Sequence, residues 1–163
     1  MAKNGIHTKP VRGNTDEWLT PPELLRALGS FDLDPCSPIV RPWETATRHL
    51  SELDDGLSVP WVGRVWLNPP YGPETIKWVR KLSEHGNGIA LIFARTETEM
   101  FHKFIWPIAT GILFLKGRLH FHYPDGSRSG DNAGGPHCLV SYGVKNAFAV
   151  EDSGIPGYFI RLR

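Results

Sequence analysis

The chain has 163 residues, 40% of them apolar, and 18 Lys and Arg set against 17 Asp and Glu leave a net charge of +1. That length holds one domain with a real core but not a large catalytic domain plus a separate recognition domain, and the near-neutral balance excludes a binder working by bulk positive charge while leaving room for a local basic patch. Seventeen glycines and 14 prolines form a fifth of the chain, against roughly 12% on average; with six tryptophans they exclude a helical bundle or coiled coil in favour of short elements, loops and aromatic anchors.

Residues 1–15 are polar and basic, with Lys3, His7, Lys9 and Arg12, and lack the apolar core of a secretory leader. They read as a flexible arm ahead of one domain over 16–163. Thr20-Pro21-Pro22-Glu23 opens a short helix that runs to Gly29. Thr20 and Glu23 have capping-box spacing, Pro21 takes the first helical position, and Gly29 supplies a left-handed stop. Phe31 to Asp34 alternates apolar and acidic residues and ends at Pro35, which predicts a short strand and a turn. Residues 36–63 contain Pro38, Pro42 and Pro60, one helical turn near Glu44 to Leu50, and an acidic turn at Asp54-Asp55-Gly56.

From residue 64 a regular alternation begins. Arg64 to Leu67 reads as a strand that breaks at Asn68-Pro69-Pro70-Tyr71-Gly72. Glu74 to His85 reads as a helix with Ile76, Val79 and Leu82 inward and Lys77, Lys81 and Glu84 outward. Gly88 to Ala94 is a strand buried on both faces, Glu97 to Trp106 a second helix, and Gly111 to Leu115 another buried strand. This order predicts an α/β sheet with crossover connections. Arg118 to Tyr123 and His137 to Tyr142 are candidate antiparallel strands joined by a Gly-, Asp- and Ser-rich loop, and Gly157 to Arg163 is a candidate edge strand. The longest apolar runs are strand-length, far short of the roughly 20 residues of a membrane span.

Cys36 and Cys138 make neither a disulfide framework nor a four-cysteine zinc site, and read as reduced thiols of a cytoplasmic protein. His120, His122, His137 and Cys138 form a conceivable zinc set, but with no standard finger spacing. The tryptophans read as core and lid packing, Trp66 as structural.

Asn68-Pro69-Pro70-Tyr71 stands at the carboxyl end of a predicted strand and before a helix, where open α/β sheets bind ligands. The two prolines fix φ and remove two N–H donors, so the local carbonyls face outward as acceptors. The Asn68 side chain adds another. Two acceptors converging on one exocyclic amino group hold both hydrogens and draw the nitrogen toward tetrahedral geometry, freeing its lone pair for attack on an electrophilic methyl. Tyr71 offers a face on which a base can stack, and a base from a duplex must be flipped out to reach it.

In this setting the motif resembles that of the S-adenosylmethionine-dependent amino-methyltransferases. Segments spanning about residues 16 to 143 resemble the compact phage and prophage DNA N6-adenine methyltransferase (Dam-like) family. The likeness is carried by Asp16 to Leu24, Phe31 to Cys36, Asp54 to Leu57 with Trp61, Gly63 to Tyr71, Ala94 to Thr98 and Phe114 to Leu119. It implies a compact single-domain class I (Rossmann-like) methyltransferase sandwich with a mixed sheet, S-adenosyl-L-methionine as cofactor, DNA as partner and a cytoplasmic setting in a bacterial host or phage-infected cell. It assigns catalysis to Asn68, Pro69, Pro70 and Tyr71, with the Asn68 side chain and the Pro69 carbonyl on the amine. It assigns the cofactor to Thr20, Pro21, Asp34, Pro35, Cys36, Asp54, Asp55 and Asn68.

The family's glycine-rich turn after the first strand is replaced here by Cys36-Ser37-Pro38, so backbone around Thr20, Asp34 and Pro35 stands in for it. Three acids remain open for the cofactor. Asp34 meets the ribose if its strand is the second of the sheet, or lies near the methionine amine if it is the first; Asp54 or Asp55 serves either. Arg95, Lys116, Arg118 and Arg128 are candidates for a phosphate-binding rim, with further contacts from the arm. Without a recognition domain, target choice falls to residues 36–63, 122–136, the arm, or the second subunit of a homodimer. Other readings of the motif are a cytosine-N4 DNA methyltransferase, a glutamine protein methyltransferase, and a non-catalytic DNA-binding relic. Asn rather than Ser at the start of the motif favours adenine.

Overall fold

Seven short strands form one mixed sheet in the order β2-β1-β3-β4-β6-β5-β7. They are β1 Leu33–Asp34, β2 Arg48–His49, β3 Val65–Leu67, β4 Gly88–Phe93, β5 Gly111–Leu115, β6 His137–Tyr142 and β7 Gly157–Arg161. The helices are α1 Pro22–Leu28, α2 Thr75–His85 and α3 Val144–Glu151, with a 3-10 turn at Glu52–Asp54 and a π-helical segment at Phe101–Ile105. This computed structural model describes residues 18–163. The basic arm, with Lys3, His7, Lys9 and Arg12, lies outside the described residues, as do Asp16 and Glu17.

β1 pairs in parallel with β2 and β3, and β3 with β4. β6 runs antiparallel between β4 and β5, and β7 antiparallel to β5. The chain therefore leaves β1 toward one edge of the sheet and returns on its other side, so the winding reverses between β1 and β3. A crevice at the carboxyl ends of the strands opens at such a reversal.

Alternation along β3 and β4 divides the core in two. Val65, Leu67, Ala90 and Ile92 face Val79 and Leu82 of α2 and Phe101 and Ile105. Trp66, Ile89 and Leu91 face Leu24, Leu25 and Leu28 of α1 and Val150 of α3. Burying each such Leu or Ile contributes about 1.5–3 kcal/mol.

Several sequence expectations change. The helical turn near Glu44 to Leu50 is instead β2. Its backbone bonds the first strand, Thr47 N–H and Arg48 N–H donating to Phe31 and Asp32 carbonyls at 3.0 Å and Leu50 N–H to the Asp34 carbonyl at 2.8 Å. The capping box at Thr20 is not formed: Pro21 is the N-cap without a side-chain bond, and Pro22 opens the helix. Gly29 ends α1 at φ +83°, ψ −170°, outside the left-handed helical region. Arg118 to Tyr123 is no strand. Its only β-pairing is through isolated bridges, Leu19 to His122 and His122 to Arg128, and the loop bonds itself, Ser129 N–H to Phe121 and Ala133 N–H to Leu119. Within 97–106, five residues wind as π-helix, with Trp106 N–H reaching the Phe101 carbonyl. Ile76 is only half-buried, and Trp78 joins Val79 and Leu82 on the inner face of α2. Lys81, expected outside, folds back so that its ammonium donates to the carbonyls of Gly56, Leu57 and Val59. β6 and the edge strand β7 stand where expected.

α3 was not expected, because its buried anchor is polar. Asn146 accepts from Arg64 Nε at 2.6 Å and donates to Asn87 Oδ1 at 2.9 Å and the Tyr142 carbonyl at 2.8 Å. Arg64 also donates to the carbonyls of Ser30 and Leu28 and lies 4.2 Å over the Phe31 ring. One side chain thus joins the end of α1, β3 and α3. Arg64→Ala leaves buried Asn146 with an unpaired acceptor and should lower stability by about 2–4 kcal/mol. The check is the urea midpoint at unchanged slope.

Candidate active site

The crevice at the winding reversal holds a cavity of about 440 Å³. Thr20, Asp34, Pro35, Cys36, Asp55, Asn68, Pro69 and Pro70, all singled out in the sequence, line it together, and Glu52, Thr45 and Trp78 join them. Its size lies in the range of small-molecule sites, about 300–1,000 Å³. Pro21 and Asp54 are not part of the lining. Pro21 caps α1. Asp54 accepts from the N–H and hydroxyl of Ser51 at 2.8 and 3.0 Å, and the Ser51 bonds hold it below the usual carboxylate range. Glu52 escaped the sequence reading because the strand before it was read as helix; once β2 is recognised, an acid at its carboxyl end stands out.

Asp34 is 4% exposed. Its carboxylate accepts from the Thr45 hydroxyl and, at 3.2 Å, from the Cys36 N–H, and it forms no ion pair among the described residues. Burial pushes it up to about 6. The Cys36 thiol donates to the main-chain carbonyl of Asn68 at 3.2 Å. Burial, with Asp34 beside it, pushes that thiol well above its ordinary range. A glycine is needed close by, though not in the turn after β1. A Cβ on Gly56 would stand 2.1 Å from the Pro35 carbonyl and 3.1 Å from the Trp78 ring.

Asn68 follows β3 directly. Its Nδ2 donates to the Trp18 carbonyl and its Oδ1 accepts from the Tyr71 hydroxyl, both at 3.2 Å. The Thr75 hydroxyl donates to the Pro70 carbonyl at 2.7 Å and accepts from Gly72 N–H at 3.0 Å, closing the turn. Among the described residues no hydrogen bond reaches the Pro69 carbonyl. Asn68 Oδ1 has two lone pairs, one of them free. The turn therefore presents two adjacent acceptors with spare capacity.

Tyr71 borders this cavity and a second one of about 500 Å³, lined also by Gly72, Ile76, Phe93, Arg95 and Met100. Its ring packs 4.7 Å from Phe93, 5.5 Å from His137 and 6.4 Å from Phe121. Burial raises the phenol well above its ordinary range, so it keeps its proton. His137 was not read as part of this site. Its Nε2 lies 3.1 Å from the Tyr71 hydroxyl. Its neighbour Cys138 points to the opposite core, so the histidine–cysteine set weighed for zinc does not converge. No metal-binding group of three or more His, Cys, Asp or Glu occurs among the described residues.

Of the candidate rim, Arg95 is exposed after β4, 5.8 Å over the Phe93 ring. Exposed Arg118 lies near Gly135, which packs on that same ring. Lys116 and Arg128 are exposed but stand apart, Lys116 beside Pro156 and Arg128 beside His122. No helix among the described residues is long and apolar enough to cross a membrane.

A family model described as DNA N-6-adenine-methyltransferase (Dam) matches residues 7–147. No curated protein and no solved structure matches the chain.

The buried carboxylate has a measurable cost. Its pKa is raised from 3.8 to about 6 on folding. The stability it contributes is therefore full below pH 3.8 and is lost as pH rises through 6, a change on the order of 3 kcal/mol. Asp34→Asn should raise the melting temperature of the ligand-free protein by several degrees at pH 8 and leave it unchanged at pH 4. Thermal melts across this range check it; equal midpoints at pH 8 would contradict a strained carboxylate.

Proposed function

Because the chain belongs to the DNA N-6-adenine-methyltransferase (Dam) family, whose reaction is methylation of the N6 amino group of adenine in DNA, we propose that it performs that reaction at the Asn68–Tyr71 turn, with S-adenosylmethionine in the neighbouring cavity. The parallel strands with helices on both faces and the winding reversal between β1 and β3 support a class I, Rossmann-like framework.

The cavity suits this cofactor. When bound, S-adenosylmethionine supplies an electrophilic methyl on a cationic sulfur, beside a cationic amine. Asp34 is a buried carboxylate with no ion-pair partner of its own. We assign it to those cations, since β1 comes first in the chain. Glu52 follows β2 and lines the cavity, at roughly the 20-residue spacing at which dinucleotide folds place a ribose-binding acid. We assign Glu52 and Asp55 to the ribose hydroxyls. Cys36 lines the cavity as a thiol rather than a thiolate, so it does not compete for the methyl.

The free lone pair of Asn68 Oδ1 and the Pro69 carbonyl accept the two hydrogens of a flipped adenine's amine, and Tyr71 stacks the ring. Catalysis is then mostly orientation. The methylated nitrogen carries an acidic extra proton that water takes, so no tuned general base is needed. Arg95 and Arg118 guide the strand by its phosphates, with Lys116 and Arg128 farther out. The pair of acceptors with spare capacity, in the lining of the same cavity as a cation-seeking carboxylate, is the observation that carries this reading. The acceptors alone would hold any –NH2 group; the family match is what favours adenine over the cytosine and glutamine alternatives and over a relic without catalysis.

Labelled methyl from S-adenosylmethionine should enter DNA and be recovered as N6-methyladenine after digestion. Asn68→Ala should lower incorporation by at least about a hundredfold, with cofactor binding retained by calorimetry. Recovery as N4-methylcytosine, or full activity in the variant, would sink the assignment.

A further inference from the structure

An asparagine amide can present either of two nearly isosteric ends, and only the oxygen suits an amine. Two contacts select that end here: Trp18 takes the Nδ2 donor, and the Tyr71 hydroxyl donates to Oδ1. The second depends on a choice. The hydroxyl has one proton and three neighbours, Asn68 Oδ1 at 3.2 Å, the Leu91 carbonyl at 3.4 Å and His137 Nε2 at 3.1 Å. If His137 Nε2 were an acceptor it would draw that proton away from Asn68.

We propose that His137 is a positioning residue for methyl transfer: its Nε2–H donates to the Tyr71 oxygen, so that the Tyr71 proton is directed to Asn68 Oδ1 and the amide stays turned toward the amine. This rests on the reading that Asn68 accepts the adenine amine.

The surroundings of His137 support this direction of bonding. Nδ1 is buried and has no hydrogen-bond partner. A proton there would meet no acceptor in good hydrogen-bond geometry, so the single proton of the neutral ring is assigned to Nε2. The imidazole is neutral because burial pushes it down to about 4, with Arg118 adding to the fall. The Gly135 main chain offsets part of this without meeting Nδ1 in hydrogen-bond geometry. A neutral ring also spares the site a cation where a cationic methyl donor must sit. His137 is 1% exposed, opens β6, and is wedged 4.4 Å from Phe93 and 5.3 Å from Phe121, so its ring cannot swing away. A role in packing alone would need the ring but not its nitrogen. The result is a one-way chain from His137 through Tyr71 and Asn68 to the Trp18 carbonyl.

The experiment is a double-mutant cycle in methyl-transfer kinetics on DNA at saturating cofactor, using wild type, His137→Phe, His137→Gln, Tyr71→Phe and the double variant Tyr71→Phe/His137→Phe. His137→Phe should lower kcat about 10–100-fold, with KM for DNA and calorimetric affinity for S-adenosylmethionine near wild type. His137→Gln, whose amide N–H reaches the same hydroxyl, should recover activity to within about fivefold of wild type. In the Tyr71→Phe background His137→Phe should cost nothing further, because the hydroxyl it orients is gone. A kcat for His137→Phe within about twofold of wild type, an equal loss in both backgrounds, or a Gln variant no better than Phe would each overturn the proposal. If His137→Phe does not fold, His137→Asn, too short to reach the hydroxyl, replaces it with the same expectations. Asn68→Ala separates the two levels. An active Asn68→Ala refutes the acceptor role and this inference with it, whereas an inactive one with an additive cycle refutes the role of His137 alone.

Discussion

An asparagine amide offers an acceptor reliably only while its donor end is engaged elsewhere, and in this chain the engagement is with the Trp18 carbonyl. That carbonyl is fixed from far along the sequence. Leu19 and His122 exchange backbone hydrogen bonds at 2.9 and 3.1 Å, and the Trp18 ring lies against Phe121 and Tyr123. The loop between β5 and β6 therefore secures the segment that secures Asn68. The main chain of Asn68 is tied separately, by the Cys36 thiol at the end of β1. The winding of the sheet places β1 and β3 side by side, and the loop reaches them through the segment at Trp18 and Leu19. Each contact is ordinary; their convergence on one amide gives the turn a defined hydrogen-bonding polarity.

The legible parts of the sequence were those whose signal is local. The Asn-Pro-Pro-Tyr turn, α2 and the buried strands β4 and β5 show their chemistry or periodicity within a dozen residues. The illegible parts depend on partners far away. β2 is a two-residue strand whose register comes from β1 rather than from its own pattern, and missing it hid Glu52. α3 is anchored by Asn146, a polar residue whose burial makes sense only once Arg64 and Asn87 surround it. His137 looked like a metal-ligand candidate because its neighbours in sequence are a cysteine and, upstream, other histidines. In the fold, strand alternation sends Cys138 into the opposite core and turns His137 to Tyr71.

The missing glycine turn after β1 is resolved in the same way. The constraint of close backbone approach has not vanished; it has moved to Gly56, where any Cβ would collide with the Pro35 carbonyl. The loop carrying Gly56 is held down by Lys81, whose ammonium meets three successive stretches of its backbone while resting 5.0 Å from the Trp61 ring. A cation spent on carbonyls in this way is also a cation kept out of the cavity.

Suppression of charge runs through the whole site. Burial acts on four ionisable groups around the Asn68 turn, and each time it disfavours the charged form. It lifts Asp34, Cys36 and Tyr71 and depresses His137. Cys36, Tyr71 and His137 are neutral near pH 7, and burial keeps them so. Asp34, raised only to about 6, is the exception: it remains largely ionised and without an ion-pair partner. A crevice lined by Asp34, Glu52 and Asp55, in which the buried carboxylate has no ion-pair partner and feels only the charge of Arg41 beyond ion-pair distance, gains most from a ligand that brings positive charge with it. The strain on that carboxylate and the pull it would exert on such a ligand then have the same source, the depth at which the switch point of the sheet holds Asp34.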